Sequence, residues 1–312
     1  MAEQREKSAR PSETLPVSVV IPAYNRPQLV RRALASVARQ TPRPPAEVIV
    51  VDDCSSDHTG MAAAEMGATV IRHEVNRGEG AARNSGLKAA TQEWVALLDS
   101  DDEWLPSYLG TLWSLRDGHV LVSGSALYHY DDGSKSPRFH GAVTRHPRIF
   151  RSPVELVYPG NVIPASGVML RRDVVLECGG YREGMPHAAD FDLYLRVLEH
   201  GTGLITPEPV VVYHVHAGQV SGDQAAMHRA HREVVESYSH RPWWNKRRLE
   251  RRLGVQAWDE LRRALRDGDR RLAAARAKWI ARRIQPLLGV LGIWALRFLE
   301  RRRTSALTPP DL

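Results

Sequence analysis

Two aspartates, Asp99 and Asp101, frame a serine directly after an apolar run that ends at Leu98. At the end of an extended strand, residues i and i+2 point the same way, so the two carboxylates are predicted to face one spot. Close carboxylates repel each other unless a cation or a proton lies between them. Oxygen ligands suit Mg²⁺ or Mn²⁺, which often keep positions open for phosphate oxygens. The motif predicts a divalent-cation site, with a solvated acidic turn as the alternative.

Further side chains are suited to bind a substrate or to move a proton. Asp53 can accept hydrogen bonds from a nucleobase or a ribose, or it can cap the next helix. Arg83, near the start of a predicted helix, can pair with a diphosphate or form a surface salt bridge. Asp190 and Asp192 open another predicted helix, where one can take a proton from a hydroxyl while the other caps the helix or is solvated.

Two histidines, His214 and His216, lie two residues apart and share a face if their β-branched run is extended. His216 is predicted to join the cation site, although a lone histidine is often structural. A zinc site on the pair lacks Cys or Glu at a matching spacing. The segment Gly78-Glu79-Gly80 follows the third strand and lacks the third glycine of a dinucleotide fingerprint, which disfavours an NAD-dependent dehydrogenase.

An alternation of apolar strands and helical patterns must bring these side chains together. Strands are predicted at residues 17–21, 47–51, 68–72 and 94–98, with helices between them. Asn25 is expected to cap the first helix, with Pro27 in its first turn. This order predicts an α/β fold with a mostly parallel sheet and helices on both faces. Ligands bind outside the carboxyl ends of such strands, where the polar residues above lie.

The pattern loosens after residue 118. Strands are predicted at residues 120–128, 167–171 and 210–215, a helix at 190–199 and a surface loop at 131–147. No internal repeat or low-complexity tract is evident.

The composition is that of a globular protein, but its charge is unevenly distributed. The chain has 312 residues, of which 43% are hydrophobic and 25% charged, which excludes a mainly disordered or collagen-like chain. Residues 1–240 hold 24 Lys and Arg against 29 Asp and Glu, a net charge of −5, whereas residues 241–312 hold 19 against 7, a net charge of +12. Cys54 and Cys178 cannot form a disulfide framework, and two reduced thiols predict a cytoplasmic location.

Several stretches together resemble the family-2 inverting glycosyltransferases, which have the GT-A fold. The stretches that resemble the family's donor half are VSVVIPAYNRPQLVRRALASVARQT, EVIVVDDCSSDHT, NRGEGAARNSGLKAA and EWVALLDSDDEW. CGGYREGMPHAADFDLYLRV resembles its acceptor half and VYHVHAGQVS its terminal segment. In the acceptor-like stretch, the family usually has an acidic pair before a helix similar to the DLYLR segment of this chain. Here Ala189 replaces the first member of that pair, and Asp190 is the second. Arg is often found at the position of His214.

The resemblance implies a role for each matching residue. Pro22, Tyr24 and Asp53 would hold the nucleoside, Arg83 would help to bind the donor, and Asp99 would contact the ribose or the sugar. Asp101, assisted by Asp102 and His216, would hold Mn²⁺ or Mg²⁺ on the diphosphate. Asp190 would be the general base. These implied site residues are Pro22, Tyr24, Asp53, Arg83, Asp99, Asp101, Asp102, Asp190 and His216.

The resemblance also implies a function. The chain would move a sugar from a nucleoside-diphosphate sugar, expected to be a UDP-sugar, to a hydroxyl of a glycan or lipid-linked acceptor in cell-surface polysaccharide or glycoconjugate synthesis. One alternative is a nucleotidyltransferase or sugar-nucleotide hydrolase that uses the same sheet and metal. Another is a non-catalytic protein that binds nucleotide sugars or assembles at a membrane, which Ala189 favours.

The expected domain organisation has three parts. Residues 1–15 would be a flexible tail, residues 16–222 a GT-A glycosyltransferase domain with its halves meeting at about residue 117, and residues 223–312 a basic helical C-terminal extension. Residues 241–303 combine many arginines with five tryptophans, which suits peripheral attachment to an anionic membrane on the inner face of the cell. A helical cap packed on the domain is the alternative. No nucleic-acid recognition motif is present, so nucleic acid is not an expected partner.

Overall fold

A computed structural model of the chain describes residues 13–130, 135–138, 146–157, 161–216, 224–247 and 270–284, together with the single residues 249, 258, 261, 262, 265 and 268. Most of the predicted flexible tail lies outside these residues, and so does much of the predicted basic region 241–303. Leu15, predicted as the last residue of the tail, already belongs to the first strand.

Strands and helices alternate through the first half of the described chain. The strands are β1 (Leu15–Ala23), β2 (Pro45–Asp52), β3 (Thr69–Arg72), β4 (Trp94–Leu97), β5 (Glu103–Trp104), β6 (Leu121–Tyr130), β7 (Lys135–Arg138), β8 (Arg148–Phe150), β9 (Val168–Arg171) and β10 (Gly203–Val215). The helices are α1 (Pro27–Ala38), α2 (Thr59–Glu65), α3 (Glu79–Ala89), α4 (Tyr108–Ser114), α5 (Pro153–Val157), α6 (Arg172–Glu177), α7 (Ala189–Val197), α8 (Gln224–Ser237) and α9 (Arg270–Ile284).

One mixed sheet joins the strands that the structure describes, in the order β3-β2-β1-β4-β9-β6-β10-β5. The pairs β3-β2, β2-β1, β1-β4 and β6-β10 are parallel. Strand β9 runs antiparallel to β4 and to β6 and so connects the two parallel parts. The predicted α/β class with a mostly parallel central sheet and flanking helices is therefore confirmed.

The core lies on both faces of the central strands. Strand β1 is buried at nearly every position, as expected for a parallel strand covered by helices on both sides. Helix α3 approaches β1 so closely that a Cβ atom on Gly86 would lie 2.3 Å from a methyl group of Val20. Glycine at this position therefore lets α3 pack directly on the sheet, with its first residues at the carboxyl edge of the strands.

Two local predictions are wrong. Helix α1 begins at Pro27 without a side-chain cap, because the Asn25 side-chain oxygen instead accepts a hydrogen bond from the Ser56 amide at 2.8 Å. The predicted loop 131–147 contains β7, which pairs with β6. Backbone hydrogen bonds alone define this polar edge strand, so it has no apolar alternation that could reveal it in the sequence.

The chain divides into two compact units, Met1–Asn245 and Lys246–Leu312. Helix α8 belongs to the first unit and α9 to the second. The three-part organisation with boundaries after residues 15 and 222 stays a prediction. Among the helices described, none combines the length and the hydropathy that a membrane span needs.

Candidate active site

The loops that follow β1, β2 and β3 are joined to one another at the carboxyl edge of the sheet. The Asn25 amide donates to the Ser55 hydroxyl at 2.9 Å, and the Arg26 amide donates to the Thr59 hydroxyl at 2.8 Å. Asp53 at the end of β2 accepts hydrogen bonds from the Arg77 and Gly78 amides at 3.0 and 2.7 Å. These contacts hold the edge in one arrangement, which is what a binding site on this edge requires.

Asp53 is buried and already has protein partners. Besides the two amides, its Oδ1 accepts a hydrogen bond from His73 Nδ1 at 2.6 Å, and His73 Nε2 lies 2.8 Å from the Ser85 hydroxyl. Oδ2 accepts only the Gly78 amide among the described contacts, so one lone pair remains for a ligand. Of the other residues expected to hold a nucleoside, Pro22 is buried in β1 and the Tyr24 ring is 47% exposed.

Arg83 on α3 lies between the turn after β4 and the segment around Tyr181. Its Nη2 donates to Asp99 at 2.5 Å and to Glu79 at 2.6 Å, and its guanidinium lies 5.1 Å from the centre of the Tyr181 ring. Burial alone would lower the pKa of Arg83, but the charges of Asp99 and Glu79 raise it well above its usual value. Arg83 is therefore a permanent buried cation in this cluster.

Glu79 marks the point at which the acidic residues meet. Arg83 lowers the pKa of Glu79, but partial loss of solvation and the charges of Asp99, Asp101 and Asp190 together raise it above its usual value, although the side chain is 54% exposed. Those three carboxylates are thus close enough to Glu79 to act on it electrostatically. Gly78, the neighbour of Glu79, binds Asp53. Asp53, through Gly78, and Asp99, through Arg83, therefore lie at the first residues of α3, and Asp101 and Asp190 act on Glu79 there through their charges.

The acidic motif itself is a turn and not an extended strand end. Strand β4 ends at Leu97, and the Asp102 amide donates to the Asp99 carbonyl oxygen at 3.0 Å. As a result Asp99 and Asp101 have different partners, which corrects the prediction that both carboxylates face one spot. Asp99 binds Arg83, whereas Asp101 Oδ2 accepts a hydrogen bond from Arg26 at 2.6 Å and lies 3.1 Å from His216 Nε2.

Asp101 and His216 form a position that a divalent cation fits. Two ligands at about 2.1 Å from one cation and at right angles are about 3 Å apart, close to the observed 3.1 Å. Arg26 places a positive charge against the same carboxylate oxygen. Burial alone would raise the pKa of Asp101, but Arg26 and His216 lower it below its usual value. The two side chains line a cavity of about 340 Å³, with Arg32 and His214 in its wall.

Protein groups supply only part of such a coordination shell. The described residues contain no cluster of three or more His, Cys, Asp and Glu side chains arranged to hold a metal. Asp102 is turned away from the cavity side chains: its Oδ2 accepts a hydrogen bond from the Ser166 hydroxyl at 2.6 Å, and its Oδ1 accepts the His214 amide at 3.2 Å. Burial raises the pKa of Asp102 well above its usual value. Its assignment as a metal ligand stays a prediction that these contacts do not favour.

Asp190 lies in the first turn of α7. Its Oδ1 accepts the Phe191 amide at 2.8 Å and its Oδ2 accepts the Asn161 side-chain amide at 2.7 Å. Burial raises the pKa of Asp190 above its usual value, although Phe191, Arg83 and Asn161 oppose the shift. A carboxylate with a raised pKa is a better proton acceptor than an ordinary one.

Asp192 has a structural role, which corrects the expectation that it caps the helix or is solvated. It is fully buried and accepts hydrogen bonds from Arg196 at 2.7 Å and from the Tyr238 hydroxyl at 2.8 Å. Arg182 Nη1 lies 3.2 Å from Oδ1, the oxygen that accepts from Tyr238. These contacts fix α7 against the Tyr238 region, and thereby fix the helix that carries Asp190.

Five further residues of the site were not predicted from the sequence: Arg26, Arg32, His73, Asn84 and Asn161. Arg26 lies in the segment that follows the first predicted strand, so its position could have indicated a residue at the ligand-binding edge of the sheet. His73 and Asn161 lie in no recognisable motif, and their partners are distant in the sequence. Their roles become visible only when the fold brings them to Asp53 and Asp190.

The chain matches the profile described as Glycosyl transferase family 2 over residues 18–179, which is more than half of its length. It belongs to this family, so the resemblance seen in the sequence is confirmed. It is 29% identical over 215 residues to the pre-mycofactocin glycosyltransferase of Mycobacterium tuberculosis, a match that covers 65% of this chain and 43% of that protein. It is 32% identical over 206 residues to the succinoglycan biosynthesis protein ExoU of Rhizobium meliloti, covering 59% of this chain and 57% of ExoU.

Among solved structures, the chain is similar to S. aureus TarS in complex with UDP-GlcNAc. The TM-score is 0.58 at 21% identity, and the match covers 70% of this chain and 65% of the TarS chain. At this identity the likeness establishes the fold. The chain thus spans about half to two thirds of the length of these relatives.

Proposed function

We propose that the protein is a metal-dependent inverting glycosyltransferase that moves a sugar from a nucleoside-diphosphate sugar, expected to be a UDP-sugar, to a hydroxyl of a glycan or lipid-linked acceptor. The observation that carries the proposal is the cluster around the first residues of α3. There Arg83 donates to Asp99 at 2.5 Å and its guanidinium lies 5.1 Å from the centre of the Tyr181 ring, in the segment that leads to Asp190. The names of the family 2 relatives favour a role in polysaccharide or glycoconjugate synthesis.

The donor would lie along the carboxyl edge of the sheet. Asp53 Oδ2, after β2, has a lone pair for a nucleobase N–H. Tyr24, in the loop after the neighbouring strand β1, has an exposed ring. Arg83 and Arg26 would bind the diphosphate, because a guanidinium forms paired hydrogen bonds with phosphate oxygens. Asp99 would orient the ribose or the transferred sugar.

Asp101 and His216 would hold Mn²⁺ or Mg²⁺, which when bound supplies positive charge that neutralises the departing diphosphate. Phosphate oxygens and water would complete the shell that these two side chains begin. Arg26, now on Asp101, would be free to move onto the diphosphate. Asp102 would support the site by holding the Ser166 and His214 contacts.

Asp190 would act as the general base. Its carboxylate takes the proton of the acceptor hydroxyl as that oxygen attacks the anomeric carbon, and the bond from this carbon to the diphosphate oxygen breaks on the opposite side. A single displacement of this kind inverts the anomeric configuration, and its transition state resembles an oxocarbenium ion. General-base assistance contributes roughly 10²–10⁴-fold to the rate. Asn161 orients the carboxylate through its hydrogen bond to Oδ2.

A thermal-shift panel tests the proposal. We expect one nucleoside diphosphate among UDP, GDP, CDP and ADP to stabilise the protein, and to do so more strongly with Mn²⁺; a ligand at 100 times its Kd adds about 2.7 kcal/mol. Asp101→Ala should remove the increment due to Mn²⁺, whereas Asp117→Ala, at an exposed position, should not. Stabilisation by no nucleotide, or an increment that survives Asp101→Ala, would contradict the proposal. Rapid hydrolysis of the sugar nucleotide without an acceptor would indicate a hydrolase instead.

A further inference from the structure

A second cavity, of about 490 Å³, lies beside the segment that leads into Asp190. Arg182 and residues 184–187 form one wall, and one face of α8 forms the other. The volume is within the ~300–1,000 Å³ range of small-molecule sites. None of the residues that line this cavity is among those predicted from the sequence to bind the donor, the metal or a proton.

Two charged side chains in this cavity have no partner among the residues that the structure describes. Arg229 and Glu233 are one turn apart on α8, and both are exposed. Neither forms a hydrogen bond or an ion pair with any part of the chain that the structure describes. Met185, Pro186 and Val234 provide apolar surface around them. The cavity thus combines an unpaired donor, an unpaired acceptor and apolar walls.

The segment between this cavity and the donor site is held in place from the donor side. Asn84 on α3 donates to the Tyr181 carbonyl oxygen at 2.9 Å and accepts the Tyr181 amide at 2.7 Å. Arg77 lies 3.2 Å from Glu183. The same segment contacts α7 through Arg182 and Asp192 and then runs to Asp190. It therefore has the donor half on one side, the α8 cavity on the other and the candidate base at its end.

Resting on the proposed function, we propose that the α8 cavity is the acceptor subsite and that it takes a neutral sugar ring. Guanidinium groups donate to hydroxyl oxygens and carboxylates accept from hydroxyl hydrogens, so Arg229 and Glu233 together match neighbouring hydroxyls of a sugar. Met185 and Pro186 match the C–H face of the ring. Of the two guanidinium groups that line the cavity, Arg182 is already paired with Asp192. Glu233 opposes a phosphate or carboxylate on the acceptor, because an anion near Arg229 would also meet this carboxylate.

Saturation-transfer NMR on the full chain tests this assignment. The probes are the methyl α- and β-glycosides of glucose, galactose, mannose and N-acetylglucosamine, with inorganic phosphate as the anionic probe, all in the presence of saturating UDP and Mn²⁺. We expect at least one glycoside to bind while UDP occupies the donor site. Glu233→Gln and Arg229→Gln should each weaken this binding at least fivefold. Glu236→Gln, on α8 but outside the cavity lining, is the matched control and should leave the binding unchanged.

Each outcome decides the point. Binding of no glycoside, or binding that both cavity variants leave unchanged, would overturn the acceptor assignment. If inorganic phosphate displaces the glycoside, and no longer does so in Arg229→Gln, the subsite binds an anionic acceptor instead of a neutral sugar. The Kd of UDP should stay within twofold of the original value in all variants, and their thermal unfolding shows that they are folded. A chain that binds UDP but no glycoside contradicts only this inference, whereas a chain that binds no nucleotide contradicts the proposed function itself.

Discussion

Asp190 and Asp192 lie two residues apart on one helix and have different surroundings. Asp192 faces two guanidinium groups and a tyrosine hydroxyl, so its charge is matched by permanent partners. Asp190 accepts one amide from the backbone and one from Asn161, and burial raises its pKa. The residue with fewer charged partners is the one whose proton can move. Environment thus separates a structural carboxylate from a candidate base.

Asp190→Asn should keep nucleotide binding and lose most of the turnover. The loss expected from removing a general base is about 10²–10⁴-fold in kcat. Measurement of kcat, together with the Kd of the nucleotide, checks this. Near-full activity in the variant would reject Asp190 as the base, whereas loss of nucleotide binding would show that the side chain holds the donor instead.

The pH dependence of the unchanged protein should follow the raised pKa of Asp190. The base must be deprotonated, so kcat/KM, which reports the free enzyme, should rise with pH, with its acid limb above the usual pKa of a carboxyl group. The neighbouring charges that act on it come from Arg83 and Asp99, with Glu79, Tyr181 and Tyr194 around them. An acid limb of the pH–rate profile at the ordinary pKa of a carboxyl group would contradict the assignment of a buried base.

The same shift affects stability. Because the pKa of Asp190 is higher in the folded than in the unfolded chain, the folded chain binds more protons between the two values and loses stability as the pH rises through them. Asp190→Asn removes the buried charge, so at neutral pH its Tm should equal or exceed that of the unchanged protein.

His73 is a positioning residue for Asp53. It is buried and bridges Asp53 to Ser85, so His73→Phe removes both hydrogen bonds and leaves one carboxylate lone pair without its partner. We expect the free energy of unfolding to fall by about 1–3 kcal/mol and the Kd of the nucleotide to rise. His73→Gln can still donate to Asp53 and should recover part of the affinity. His58→Phe, at an exposed position, is the control. If His73→Phe and His73→Gln bind the nucleotide as tightly as this control does, His73 does not position Asp53 for binding.

At the level of elements, the strands and helices around the donor edge could be predicted from the sequence. Strands β1, β2, β3 and β4 are apolar runs bounded by polar loops, and α1 and α3 show helical periodicity, which are local signals. Strand β5 could not be predicted, because pairing with the distant strand β10 defines it. Strand β7 pairs with the preceding strand β6, but its sequence has no apolar alternation. The turn at Asp99–Asp102 was missed because residues far along the chain, Ser166 and His214, hold it.

The contact between α3 and the segment after Gly180 gives a prediction about elements. Asn84 satisfies both the amide and the carbonyl of Tyr181, and Gly180 passes so close that a Cβ there would lie 2.4 Å from the Asn84 oxygen. Asn84→Ala leaves two buried backbone groups without partners, which costs about 2–4 kcal/mol in the free energy of unfolding. It should also lower kcat more than it raises the Kd of the nucleotide, because the displaced segment leads to Asp190.

Chemical denaturation and separate measurements of kcat and nucleotide Kd check the Asn84 prediction. Gln92→Ala serves as the control, since the Gln92 side chain donates only to its neighbour Thr91. A variant whose stability falls while kcat and Kd stay unchanged would show that the contact is purely structural. If nucleotide affinity falls more than kcat in this variant, the contact acts on nucleotide binding and not on Asp190.

At the level of the whole molecule, the charge separates along the chain. Residues 1–240 have a net charge of −5 and residues 241–312 a net charge of +12. Helix α9 carries part of this positive charge, with Arg270 and Lys278 exposed. An anionic lipid surface attracts such a segment by about 1 kcal/mol for each Lys or Arg near it. A glycosyltransferase that acts on a lipid-linked acceptor would gain proximity to its substrate from this attraction.

Flotation with vesicles tests the membrane prediction. The full chain should bind vesicles that contain phosphatidylglycerol at low salt, release them at high salt because the charges are then screened, and ignore vesicles of phosphatidylcholine alone. The double substitution Arg270→Glu with Lys278→Glu should weaken binding at least tenfold, since it removes two cations and adds two anions. Lys88→Glu with Arg151→Glu changes the net charge equally but acts on the first unit, so it should leave binding intact. Equal weakening by both pairs would mean that only the net charge matters, and absence of binding at low salt would remove the membrane as a partner and leave the basic region as a helical cap.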